Sequence, residues 1–128
     1  MKLLVDTNVF LWAVTLDPRL GQRARDLYLA EENDLYLSVV SIWEIVTKLQ
    51  IGKLRLPVPI EEYLKEQLIR NRLELLPIRV EPAFRLNSLP LLHRDPFDRM
   101  LLAQSLEEDM PLLSGDVKLR QYSAQVLW

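Results

Sequence analysis

The chain has 128 residues, 49% of them hydrophobic and 27% charged, a balance that fits one globular domain (residues 1–128) with a true core and excludes disordered or fibrous proteins. It has no cysteine and a single histidine, His93, which excludes disulfides, thiolate zinc sites, cysteine nucleophiles and any site built on two histidines. The net charge of −2 and pI near 5.4 argue mildly against nucleic acid, but the stretch from Ile45 to Ile60 has no acid and carries Lys48, Lys53 and Arg55, so overall charge does not decide the matter.

Leu3-Leu4-Val5 is an apolar run ending sharply at Asp6, as expected of a buried strand in a parallel sheet. A helix is expected over 8–14 and another over 22–31, with a turn at Asn33-Asp34. A second strand is expected over 35–40. Ser41 then opens a helix that runs to Gly52, and Ser41-Ile42-Trp43-Glu44 matches the capping-box pattern. Pro57 and Pro59 form a linker before a helix over 60–71. A third strand is expected over 73–78 and a short helix over 82–88, followed by a loop over 89–94. Asp95-Pro96 reads as the N-cap and first position of a strong helix through Leu106. A fourth strand is expected over 112–114, a short helix over 117–122, and an edge strand over 126–128. Alternating strands and helices specify an α/β domain around a parallel sheet. The early acid argues against a signal peptide and no apolar run reaches membrane-spanning length, so a cytoplasmic protein without membrane attachment is expected.

Open parallel sheets place their sites beyond the carboxyl ends of the strands. Asp6 ends the first strand, Glu44 lies in the first turn after the second, Asp98 opens the helix feeding the fourth, and Asp116 follows the fourth. With strands one, two and four as neighbours, all four acids converge. Clustered carboxylates repel unless a cation sits among them, and oxygen donors without Cys or a His pair suit Mg²⁺ or Mn²⁺. Such ions polarise a phosphodiester and lower the pKa of water. Each acid also has a structural explanation: Asp6 and Asp116 as turn or helix caps, Glu44 in its capping box, Asp95 and Asp98 at a helix N-terminus.

The strings LLVDTNVFLW, SVVSIWEIVTK, HRDPFDRMLLAQSLEED and PLLSGD, in this order and over nearly the whole chain, closely resemble the PIN-domain ribonucleases, and within them the VapC-type toxins of bacterial toxin–antitoxin pairs. The resemblance implies an α/β/α sandwich with a central parallel sheet. It implies Mg²⁺- or Mn²⁺-dependent RNA cleavage, a homodimer and an antitoxin partner. It assigns Asp6, Glu44, Asp98 and Asp116 as the catalytic, metal-binding acids, with Asn8 and Ser114 supporting. The apolar run Met100-Leu101-Leu102-Ala103 follows Asp98 as the family's third acid requires, leaving Asp95 as the cap and a supporting residue.

Lys48, Lys53 and Arg55 are candidates for holding an RNA backbone, and Arg94 and Arg99 for contacting phosphate or balancing the acids; a solvated charge is the alternative for each. His93 reads as a loop residue rather than a general base. Trp12, Trp43 and Trp128 read as core or dimer contacts rather than base-stacking platforms, and Tyr28, Tyr36 and Tyr63 as core or half-buried. A dinucleotide-binding or P-loop protein is excluded, since no glycine follows the first strand. A phosphatase with an aspartyl nucleophile in a D-x-D pattern is disfavoured by Asn8. The remaining alternative is a catalytically silent PIN-like module that binds RNA or protein. Helices around Trp43, Ile51 and Leu56 set apolar groups beside basic ones, where an antitoxin tail would dock.

Overall fold

The computed structural model describes residues 1–122 and 125–128. Five strands, β1 (Lys2–Val5), β2 (Asp34–Ser38), β3 (Leu73–Leu76), β4 (Leu112–Leu113) and β5 (Val126–Leu127), form one sheet in the order β3-β2-β1-β4-β5, every pairing parallel. The helices are α1 (Thr7–Val14), α2 (Gln22–Leu29), α3 (Val39–Gln50), α4 (Ile60–Arg70), α5 (Val80–Arg85), α6 (Pro96–Glu107) and α7 (Val117–Arg120), with a 3₁₀ turn at Leu86–Ser88 after α5. No helix among the described residues is long and apolar enough to cross a membrane.

The pleat sorts strand residues onto two faces. Leu3, Val5, Leu35, Leu37, Leu73 and Leu113 join Val9, Phe10, Ala24, Tyr28, Ile45 and Leu64 from α1, α2, α3 and α4 in one core. Leu4, Leu76, Leu112 and Val126 join Leu101, Leu102 and Leu119 from α6 and α7 in the other. Helices on both faces of a parallel sheet make the expected α/β/α sandwich. The chain leaves β1 toward β2 and β3, then crosses back to β4 on the other side of β1. That reversal opens a crevice at the carboxyl ends of β1 and β4.

Several boundaries depart from expectation. The second strand stops at Ser38, and Val39 and Val40 are helical. Ser38 is the N-cap of α3, its Oγ accepting from the Val40 N–H at 3.0 Å while donating to Gln104 Oε1 at 2.5 Å. Ser41 therefore forms no capping box with Glu44: it lies inside α3, its hydroxyl accepts from Thr7 Oγ1 at 2.9 Å, and Glu44 falls in the second turn. The third strand ends at Leu76, and the following helix begins at Val80. Because Ser38 caps one helix and reaches another, Ser38→Ala should cost about 1–2 kcal/mol, read as a lower urea midpoint with unchanged slope.

Gly115 has a different constraint. A Cβ there would sit 3.0 Å from the Trp128 ring, which lies over the 114–116 segment. Trp128 also meets Trp12 edge to face, at 6.1 Å between centroids, and both pack on the first core. Trp43 is 56% exposed and is not a core residue; it meets Phe97 of α6 edge to face at 4.9 Å.

Candidate metal centre

Asp6 sits where β1 ends and α1 begins, buried in the crevice. Its Oδ2 accepts from the Ser114 hydroxyl at 2.5 Å and its Oδ1 from the Asn8 backbone N–H at 3.2 Å. Asn8 thus holds this acid through its main chain. Burial raises the Asp6 carboxyl to about 6, its two hydrogen bonds oppose that rise, and the charges of Glu44 and Asp116 add to it.

Asp98 occupies the first turn of α6, behind Asp95 as N-cap and Pro96 as the first helical residue. Asp95 Oδ1 accepts from the Phe97 and Asp98 N–H groups at 2.9 and 3.1 Å, which is the capping role expected of it. Burial, then the negative charges of Asp6, Asp95, Glu44 and Asp116, push Asp98 to about 8. Asp116 caps α7, its Oδ1 accepting from the Lys118 N–H at 2.8 Å. Burial pulls its pKa upward, but hydrogen bonds from His93 and Lys118 outweigh it and hold the carboxyl below its usual value.

Glu44 points inward from α3 and is buried. Its Oε2 pairs with Lys48 at 2.8 Å, while Oε1 is buried with no hydrogen-bond partner among the described residues. A bare carboxylate oxygen out of water costs on the order of 1–3 kcal/mol or more. Three other acids crowd the same basin with raised or strongly opposed proton affinities. Hard oxygen donors in this state fit a divalent cation, which would relieve the repulsion at Asp98. Among the described residues, Asp6 and Glu44 do not join the group whose donor atoms lie together at cation-binding distance, and they act on Asp98 through their charge.

His93 is the loop residue expected from sequence, but it does not face solvent. It is buried, with Nε2 at 2.8 Å from Asp116 Oδ2 and 3.1 Å from Asp98 Oδ2. One donor atom from each of His93, Asp98 and Asp116 lies within 4.8 Å of the others. The only sequence signal for this was its place two residues before the Asp95 cap.

The basic candidates divide. Lys48, Lys53 and Arg55 line one groove together with Asn8, Thr15 and Tyr63, beginning beside the acids at the Lys48–Glu44 pair. Arg94 is exposed next to His93. Arg99 is engaged within the chain. Its Nη1 donates to the Pro90 carbonyl at 3.0 Å and the Tyr122 hydroxyl at 3.2 Å, and its Nη2 to the Leu86 carbonyl at 3.3 Å. It ties the 86–93 segment onto α6, and among the described residues it makes no direct ion pair with the acids.

Among solved structures, the chain is similar to VapBC2 from Rickettsia felis bound to a DNA fragment from its promoter, with TM-score 0.67 and 18% identity over 99% of this chain and 96% of that one. It is also similar to a toxin–antitoxin complex from Klebsiella pneumoniae, with TM-score 0.64 and 17% identity over 98% of this chain and 95% of that one. At these identities the likeness speaks for the fold. No curated protein sequence matches the chain. The PIN-domain family model matches residues 3–125, and the chain belongs to that family, whose members are generally nucleases.

Proposed function

We propose that this protein is a divalent-metal-dependent endoribonuclease, the toxin of a type II toxin–antitoxin pair. The reading is supported most by Asp98, whose carboxyl is raised by the charges of Asp6, Glu44 and Asp116 from three other segments near the sheet's reversal point, and by the buried Glu44 Oε1, which has no partner among the described residues. These four side chains would hold Mg²⁺, or Mn²⁺ in its place. A bound divalent ion supplies charge stabilisation at a phosphodiester and a lower pKa for water. Ser114 and the Asn8 N–H fix the direction of the Asp6 carboxylate, and the N-terminus of α6 holds Asp98. Lys48, Lys53 and Arg55 form a positive track leading away from the acids, suited to the phosphates of a single RNA strand, and Arg94 offers a further contact on the other side.

The toxin role is supported by the two similar structures, which are toxin–antitoxin assemblies. Trp43 and Ile51 are 56% and 59% exposed on and just after α3, an apolar surface that an antitoxin tail would cover. The protein would work in the cytoplasm as a homodimer. Crosslinking to the product of a co-expressed neighbouring gene should map to residues 41–60; a partner lying wholly elsewhere would count against this docking face.

The deciding experiment is end-mapping of total RNA incubated with the purified protein. Discrete internal cuts are expected with Mg²⁺ or Mn²⁺ and none with EDTA. Cleavage unaffected by EDTA, or no cleavage of any RNA with either ion, would overturn the reading.

A further inference from the structure

His93 stands between two of the acids, and the hydrogen bond on its far nitrogen decides what it does there. The Asp95 backbone N–H donates to His93 Nδ1 at 3.1 Å. A nitrogen that accepts carries no proton, so the ring's proton lies on Nε2. That single N–H faces both Asp116 Oδ2 and Asp98 Oδ2, at 2.8 and 3.1 Å. A histidine that coordinates a metal is built the other way round: its ligating nitrogen is bare, and its second nitrogen donates to a carbonyl or carboxylate. Here a backbone donor occupies the second nitrogen. The closeness of His93 to Asp98 and Asp116 therefore does not make it a third ligand.

We propose that His93 is a positioning residue for the cation site, whose Nε2–H grips one oxygen of Asp98 and one of Asp116 and sets the angle at which both carboxylates meet a divalent ion. The inference rests on reading the acids as a cation site. Each gripped oxygen keeps a second lone pair. A single N–H shared by the two oxygens draws the two carboxylates together. A lysine in the same place would compete with the cation. The ring cannot easily leave. The His93 backbone N–H donates to the Tyr122 hydroxyl at 2.7 Å, and Arg99 donates to that same hydroxyl while clamping the carbonyls of Leu86 and Pro90. The unpartnered Glu44 Oε1 is an independent sign that the basin beside this grip is built for a ligand.

His93 is the only histidine in the sequence, so the untagged, ¹⁵N-labelled protein gives one imidazole signal set. Proton–nitrogen correlation spectra should show the proton on Nε2 in the metal-free protein and still on Nε2 at saturating Mg²⁺. A proton on Nδ1, before or after the ion is added, overturns the proposal without any substitution. Mn²⁺ binding followed by electron paramagnetic resonance gives the second readout. His93→Ala should weaken binding by about 10- to 100-fold, and His93→Gln, whose amide N–H reaches a similar point, should recover most of it. If His93→Ala binds Mn²⁺ as tightly as wild type, the positioning role fails while the cation site stands. If wild type binds no Mn²⁺, both fall.

Discussion

Asp98→Asn should yield a protein that is more stable than wild type without metal and has lost its nuclease activity. The carboxyl of Asp98 is pushed to about 8 by burial and by four neighbouring acids, so ionising it in the folded state is costly. Asparagine removes the charge yet keeps a carbonyl oxygen for the His93 N–H, and Asp95 still caps the helix. Each tenfold change in proton affinity corresponds to about 1.4 kcal/mol. Against this stands the lost interaction of an anion with the α6 N-terminus, about 0.3–1 kcal/mol. A net gain of about 1–3 kcal/mol is expected in EDTA near pH 7, measured by urea unfolding. Cleavage should fall by at least about 100-fold, since a catalytic ion contributes several kcal/mol to the transition state. A variant that is less stable than wild type in EDTA would show that Asp98 is not under electrostatic strain.

The second large effect concerns pH. Without metal, stability should fall as pH rises from about 4 to about 8. Below pH 4 the folded and unfolded chains both keep the Asp98 proton. Between its unfolded value of 3.8 and its folded value of about 8, only the folded chain keeps it, so each step up in pH favours unfolding. Asp6 adds to the slope between 3.8 and about 6. At about 1.4 kcal/mol per pH unit for each acid across its window, the combined loss should be several kcal/mol. Asp116, whose value is lowered, works in the opposite sense, and its contribution is complete before this window opens. On the proposed reading, saturating Mg²⁺ should reverse the trend, because the ion would bind the deprotonated acids of the folded state alone. Urea melts at about pH 5 and pH 8, with EDTA and with Mg²⁺, give four midpoints. Equal midpoints at the two pH values in EDTA would contradict the crowding of these acids.

The sheet and two of its acids were legible in the sequence for a simple reason. Leu3-Leu4-Val5 and Leu112-Leu113 are apolar runs too short for helices, and the first ends at an acid while the second meets one within three residues. Asp95-Pro96 announced its helix through capping chemistry that acts within four residues. What sequence reading missed depends on partners far along the chain. Ser38 and Ser41 are both competent caps and Val39-Val40 is a good strand pair, so local preference chose Ser41; the bond from Ser38 to Gln104, 66 residues away, favours the other register. His93 lacks any periodic signal, and its significance comes from two carboxylates on different elements. Arg99 looked like a free charge because the carbonyls it holds belong to a loop with no recognisable pattern.

Asp6 and Asp116 each hold the N–H of the second residue after them, at the start of α1 and α7. Deleting either side chain therefore does two kinds of damage at once, and a screen for harmless mutants would gather broken molecules together with intact but inert ones. Asparagine caps a helix about as well as aspartate. Anyone wanting a well-formed but inert molecule should change these positions to asparagine and leave alanine aside.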